Sequence, residues 1–459
     1  MDAEHRPGER GHTPDGAPKA AAQASLFQLS FPMFLHSVLT CAVMLLEGII
    51  ISAHSADAMA AVAVAKQVLQ IAFEMSGMVG IGAVILISHS LGRGEREHAR
   101  RVAAAALKAN AVLGLAIGVL LLLLRPVVLW LLDVPEALAD DASTYLAIVA
   151  GSMFFNGIAA AALACLRAFG KSRIILRVGL ALSVLYVAAL YVLVLGAGPV
   201  PPLGVTGAAL GAFFLRVLMA VLFGLALLVE IGPWSGGRPL LSQLPLVRKM
   251  LGLAYPSVSD YIGYSFYQLA LLSLVTGFGV AAVLGRAYVL LAMSFLVLVV
   301  MAISQGNEVL LGYRCGERRR EQAFHQALRS SVIAATLTTV LAALVWLLAD
   351  PFIGLFRATD EIRAQAERLL LLTIFLQPGL AFNTILLQSL RAVGDVRWPV
   401  VASIAITWCA GLPLAWLLCV RLDLGVEGVW YALIVEETAK AVIMLLRWTH
   451  RGWLRHGLV

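Results

Sequence analysis

Glu47, Lys66, Glu74 and Arg216 in the first half of this sequence, and Asp260, Glu308, Glu436, Glu437 and Lys440 in the second, all fall inside long apolar runs. An ionisable side chain at mid-membrane costs at least ~2.5–3.5 kcal/mol on insertion scales, so each one needs a partner or a task. Lys66, Gln70 and Glu74 are spaced i, i+4, i+8 and form one polar stripe on a helix, with Gln67 beside it. His36, Thr40 and Glu47 lie along one side of the preceding helix. At a rise of 1.5 Å per residue, Glu47 sits roughly 8 Å and Lys66 roughly 13 Å from the ends where these two helices join, so they can meet at similar depth. Two chemistries fit. In one, Glu47 changes protonation or binds a cation during a cycle and Lys66, Gln70 and Glu74 modulate it. In the other, Glu47 and Glu74 are permanent partners of Lys66 and Arg216 and never titrate.

In the second half, Asp260, Tyr264, Tyr267 and Gln268 share one side of a helix at i, i+4 and i+7/i+8. An anion beside phenol rings suits an organic cation through charge and cation–π contact; alternatively the tyrosines simply pack against neighbouring helices. Glu308 is expected to face the same cavity or to pair with Arg286. Glu436 and Lys440 are an i, i+4 pair able to neutralise itself, with Glu437 adjacent. That cluster reads as structural first and functional second.

The elements that position these groups follow from composition. The chain is 61% hydrophobic and 13% charged, with a mean hydropathy of +0.89, whereas a soluble domain carries roughly 25% charged residues. Lipid cannot satisfy free backbone groups, so the choice lies between helices and a closed barrel. The runs are long, rich in Leu and Ala, and lack the two-residue alternation of barrel strands. The fold class is therefore all-α integral membrane. Apolar runs between polar, Gly or Pro breaks predict helices over 27–52, 57–90, 100–124, 138–165, 173–196, 204–230, 249–276, 280–312, 323–348, 362–390, 397–420 and 425–447. Arginines and lysines cluster at alternate loops, including Arg93–Arg101, Arg167–Arg173, Arg314–Arg320 and Arg391–Arg397, while residues 197–204 have none. The bias places both termini in the cytoplasm. Residues 1–24 read as a disordered cytoplasmic tail, because they lack the basic start and short apolar core of a signal peptide. Despite the net charge of +7, the basic residues fall at helix ends, so the lipid bilayer and not nucleic acid is the expected partner. The five cysteines show no pairing or metal spacing and read as small packing residues.

An internal repeat is legible. Leu166-Arg-Ala-Phe-Gly170 recurs as Leu390-Arg-Ala-Val-Gly394, Leu91-Gly92 as Cys315-Gly316, and Phe31-Pro32 as Tyr255-Pro256, all at one constant offset along the chain. Leu203-Gly-Val-Thr-Gly207 recurs as Leu424-Gly-Val-Glu-Gly428 at a slightly shorter offset, after a small deletion. Several matches in register mean a duplication. Six helices per copy is even, so the halves share one orientation about an axis along the membrane normal, with a cavity between them. The expected domains are a lobe over 25–232, a cytoplasmic linker over 233–248 and a lobe over 249–459. Pro32 and Pro256 should kink the first and seventh helices, where a hinge would serve alternating access. Gly77, Gly80, Gly82, Gly207 and Gly211 read as close-packing residues.

With Leu46-Glu47 to Ala61-Val62, Gly80 to Gly92, the paired Leu-Arg-Ala-x-Gly loops, Leu203 to Ala209 and Gly428-Val-Trp430 in this order, the sequence resembles the bacterial multidrug and toxic compound extrusion family from about residue 25 to its end. The resemblance implies twelve helices in two pseudo-symmetric six-helix lobes facing each other in a V, and a cation-coupled exporter of organic, often cationic compounds. It implies an acidic residue near the outer end of the first helix, where Glu47 stands. The Asn and Asp that often accompany it are here Tyr186 and Leu190, the helix-seven acid of sodium-coupled members is Tyr264 with Asp260 one turn away, and the helix-ten acid falls near Leu380. These departures favour H+ over Na+ as coupling ion. No cofactor or metal is implied, a small organic molecule is the substrate, and a monomer in the inner membrane is expected.

Three other functions are weighed. A flippase for a lipid-linked saccharide shares the wider architecture, but predicts a more basic cavity than this acidic and aromatic one. A membrane enzyme would need a motif such as His-Glu-x-x-His or Gly-x-Ser-x-Gly, and an ATP-driven pump a phosphate-binding loop; the sequence has none of these.

Overall fold

Ser25 opens the fold: its side chain accepts from the Gln28 backbone while the Gln28 side chain returns to the cap, closing a capping box. The computed structural model describes residues 25–131, 134–197, 199–232, 239–354 and 359–455. The predicted 1–24 tail, the 233–238 part of the linker and residues 456–459 of the predicted second lobe lie outside them.

The twelve apolar runs become twelve helical spans. They are α1 Leu26–His54, α2 Ala56–Gly92, α3 Arg96–Leu131, α4 Glu136–Gly151 with Met153–Ala168, α5 Ser172–Leu195 and α6 Gly204–Ile231. The second set is α7 Leu244–Thr276, α8 Val280–Gly316, α9 Arg320–Leu347, α10 Asp360–Ala392, α11 Arg397–Arg421 and α12 Gly425–Thr449. Among the described residues nine helices are long and apolar enough to cross a membrane, ten counting the two parts of α4, which bend by 53°. The remaining two, α7 and α12, are those diluted by Asp260, Tyr264, Gln268, Glu436, Glu437 and Lys440.

Apolar length marks the membrane and not the helix end. α3 therefore begins ahead of its predicted start, at Arg96, since Arg96, Glu97, Ala99, Arg100 and Arg101 are good helix formers and Glu97 meets Arg100 at 2.6 Å. α7 likewise begins at Leu244, inside the predicted linker, with Pro245 in its first turn. Pro32 and Pro256 sit inside the continuous helices α1 and α7.

Two lobes form. In the first, α1 packs on α5, α5 on α6, α6 on α4, and α2 on α3 and α4. In the second, α8, α9 and α10 pack on one another, α10 on α12, and α11 on α7 and α12. Their cores are distributed unevenly along the membrane normal. Ile50, Ile51, Val62, Leu69, Tyr145 and Tyr186 build one cluster from first-lobe residues alone. Tyr267, Leu271, Val289, Leu369 and Trp430 build another from the second lobe alone. A third cluster is shared: Leu29, Met33 and apolar residues from Val79 to Leu91 join Met250, Leu253, Val309, Leu310 and Tyr313. The shared core lies at the end carrying the Arg-rich loops, called here the basic end. Outward, Leu123, Trp130 and Val229 are 71%, 78% and 81% exposed, a density of bare apolar surface that only lipid makes favourable.

The seam between lobes obeys the repeat, for Gly92 and Gly316, partners in the duplication, meet there. α1 and α2 lie on α8, and α2 and α3 touch α7. Where α2 crosses α8, a Cβ on Gly92 would strike the Tyr313 carbonyl and stand 2.9 Å from the Gly316 Cα. A Cβ on Gly316 would in turn strike the His89 carbonyl and stand 2.8 Å from the Gly92 Cα. Two hydrogen bonds flank this contact: His89 Nε2 meets the Ala392 carbonyl at 2.8 Å, and the Tyr313 hydroxyl donates to the Ala168 carbonyl at 2.6 Å. His89 and Tyr313 are repeat partners, and so are Ala392 and Ala168, so one bond is the image of the other.

Candidate functional site

Ser55 alone separates α1 from α2, capping the second by accepting from Asp57 and Ala58 backbone amides, so the two helices turn back on each other. Residues at equal distance from that turn then face each other. The Lys66 ammonium lies 2.7 Å from a Glu47 carboxylate oxygen, the meeting that helical rise foretells. Glu47 is 6% exposed, whereas the Lys66 side chain keeps 29% of its surface. Tyr145, Tyr186 and Arg216 interact electrostatically with Glu47. Arg216 is held by its own helix, donating to the Ala212 carbonyl at 2.6 Å, and its guanidinium covers the Phe73 ring at 4.3 Å. Gln70 and Glu74 are exposed on α2, just before the seam begins at Val79. The first-lobe site is thus one buried carboxylate, two cations and two phenols, with a polar stripe leading toward the seam.

The second-lobe residues divide into three groups where the sequence places four of them on one line. Asp260 pairs with Arg391 of α10 at 2.9 Å. Tyr264 is 46% exposed, accepts from Gln268 at 2.5 Å, and Gln268 accepts from Arg286 at 2.9 Å. Tyr267 is fully buried and donates to Glu436 of α12 at 2.5 Å. Thr407 of α11 also donates to Glu436, at 2.8 Å, and Asn383 of α10 donates to Glu437, at 2.8 Å. Lys440 bridges both carboxylates, at 2.5 Å to Glu436 and 3.1 Å to Glu437. The i, i+4 pair forms as its spacing foretells, but Tyr267 belongs to it and not to Asp260.

Two local features make that cluster possible. Pro413 has no N–H for the carbonyl four residues back, and just before it the α11 backbone widens into a π turn over Thr407–Gly411. That turn delivers the Thr407 hydroxyl. A Cβ at Gly411 would stand 2.5 Å from Glu436 Oε2, so only glycine leaves room for the carboxylate.

Of the two expectations for Glu308, facing the cavity or pairing with Arg286, the pairing does not form. Glu308 is 7% exposed and faces Arg167 of the first lobe at 3.8 Å, while Arg286 turns to Gln268. Sequence reasoning assigned Arg167 and Arg391 to loop topology. Their signal was present: both occupy the second position of the repeated Leu-Arg-Ala-x-Gly segment. Tyr145, Asn383 and Thr407 carry no such mark, being neutral residues outside any repeated or charged segment.

Comparison with known proteins places this geometry. The MatE family model matches residues 32–193 and 256–417, two copies separated by the offset read from the sequence. An uncharacterized transporter, YisQ, of Bacillus subtilis (strain 168) is 28% identical over 439 residues, spanning 95% of this chain and 96% of that one. A probable multidrug resistance protein, NorM, of Bradyrhizobium diazoefficiens is 26% identical over 444 residues, spanning 92% and 91%. A solved multidrug resistance MATE family transporter of the MOP superfamily, in an outward-facing conformation, superposes with a TM-score of 0.85 at 19% identity, covering 95% of this chain and 96% of that one. A MOP superfamily transporter from Pyrococcus furiosus, whose description reports a binding pocket of reverse polarity, superposes with a TM-score of 0.81 at 18% identity over the same shares.

Proposed function

The chain belongs to the MatE family, and from that premise we propose that it is a secondary antiporter exporting organic, cationic or amphipathic compounds in exchange for protons. The observation that carries the reading is the buried Glu47 carboxylate, held at 2.7 Å by Lys66 in the lobe end that shares no core with its partner lobe. Protonation of Glu47 removes the attraction that fixes Lys66 and leaves the ammonium to its neighbours on the α2 stripe, Gln70 and Glu74. α1 and α2 then lose a bond at one end while both still rest on α8 at the other, which is how a local charge change biases a rigid lobe. A sodium ion fits less well, because an ammonium already stands at the carboxylate and repels a second cation. The substitutions at Tyr186, Leu190 and Tyr264 support the same choice.

With both termini cytoplasmic, as the arginine-rich loops argue, the sealed basic end is the inner one and the lobes part toward the outside of an inner membrane. Alternating access opens the seam around Gly92 and Gly316 and closes the far end. A single chain holds both lobes, so a monomer suffices. Uptake of a fluorescent organic cation into inside-out vesicles under an imposed proton or sodium gradient tests the proposal. Proton-driven uptake should be lost in Glu47→Gln; wild-type rates with an unchanged pH profile in that variant would overturn the role of Glu47.

A further inference from the structure

Four charges meet where the lobes join at the basic end, and they balance only across the seam. Asp260, Glu308 and Arg391 belong to the second lobe, and Arg167 to the first. All are substantially buried, with side-chain exposures of 23%, 9%, 7% and 16% respectively. Arg391 binds Asp260 at 2.9 Å and also acts electrostatically on Glu308. Arg167 reaches Glu308 at 3.8 Å, an ion pair too long to be a hydrogen bond. The Nε atoms of Arg167 and Arg391 are both buried without an acceptor. A buried guanidinium that leaves donors unmade is poorly seated, which marks a contact built to be given up. The neighbouring residue of each arginine, Ala168 and Ala392, supplies a carbonyl to the seam bonds of Tyr313 and His89. Arg167 therefore leaves Glu308 whenever those bonds part.

We propose that Arg167 is a tethered stand-in for the transported cation. It neutralises the second-lobe pair Asp260 and Glu308 while the basic end is closed, and an organic cation takes its place when that end opens. The step is one of charge balance. Closed, two carboxylates face two guanidiniums and the site is neutral. Open, Arg167 departs with the first lobe and the remaining three groups, Asp260, Glu308 and Arg391, carry one net negative charge. Tyr264, one turn from Asp260 and 46% exposed, offers a ring face beside that charge. Return of Arg167 on closure at the basic end restores neutrality and expels the solute. This deepens the exporter reading and rests on it, because it takes the second lobe as the solute site.

The test is binding of tetraphenylphosphonium to the full chain in nanodiscs. Arg167→Gln leaves the site anionic in every state and should bind at least about fivefold tighter than wild type, the lower end of coupling between linked sites. Glu308→Gln, which breaks the same ion pair, should bind weaker, and the Arg167→Gln gain should vanish in the double variant. A purely structural ion pair predicts that the two single variants behave alike, and that result would overturn the proposal. A wild-type measurement needs no variant: saturating tetraphenylphosphonium should widen the distance between spin labels on the 93–95 and 317–319 loops, and an unchanged distance also overturns it. Failure of the exporter reading shows separately, as absence of gradient-driven uptake by wild-type vesicles.

Discussion

In the first lobe a single buried carboxylate, Glu47, meets Lys66 with Arg216 and two tyrosines behind it; in the second, Glu436 and Glu437 share one lysine and are held further by Tyr267, Thr407 and Asn383. The frames match helix for helix, yet the charges do not. In the register that aligns the sixth helix with the twelfth, Leu203 on Leu424, Arg216 stands where Glu437 does. In the register that sets Pro32 on Pro256, His36 likewise stands where Asp260 does. One lobe surrounds its acid with an excess of cations, and the other surrounds its lysine with an excess of acids. The difference teaches which cluster can change. Every oxygen of Glu436 has a donor and Lys440 is 2% exposed, so a proton arriving there must break several bonds at once. Glu47 is tied to a lysine that retains contact with the exterior, so its pair can open one bond at a time.

That contrast can be broken in order of size. Glu47→Gln should abolish proton-driven uptake and flatten its pH profile, while Glu436→Gln should leave the profile shape intact; the vesicle assay decides, and a flattened profile in both would erase the distinction. Lys440→Met leaves two buried carboxylates unneutralised and should cost about 3–5 kcal/mol of stability, the penalty for an orphaned buried charge. Lys66→Met should cost less, because it orphans one carboxylate instead of two and the Lys66 side chain is less buried than Lys440, and thermal unfolding in detergent ranks the two. Gly411→Ala drives a methyl against Glu436 and should cost about 1–3 kcal/mol, the range for overpacking. The first-lobe control is Gly224→Ala, where a Cβ meets nothing within 4 Å and the same melt should barely move. Thr407→Val removes one of three hydrogen bonds to Glu436 and should cost about 1 kcal/mol, the net worth of a single bond.

Most of the frame was legible in the residues. The twelve spans, their pairing into lobes and the offset all follow from apolar length and the twice-written Leu-Arg-Ala-x-Gly segment, and the Glu47–Lys66 meeting follows from helical rise and a one-residue turn. What stood opposite each residue was not. Asp260 and Tyr267 share a helical face, but they lie two turns apart, and at those heights different helices face α7: α10 at the first and α12 at the second. Periodicity reports an angle around one helix and says nothing of the neighbour at each level. Glu308 escaped for a related reason, since its partner Arg167 lies in the other lobe, and a cross-lobe pair leaves no local spacing to read. Thr407 depended on a π turn that Pro413 announces only once the helix around it is known.

The mirrored contact of Gly92 with Gly316, flanked by His89 to Ala392 and Tyr313 to Ala168, has the form of an isologous dimer interface sealed inside one polypeptide. Each half offers the other the same patch it receives. A six-helix unit bearing that glycine, with a ring donor three residues before it, has the geometry to meet a second copy of itself in the same way, so the joint is independent of the charges each lobe carries deeper in its core.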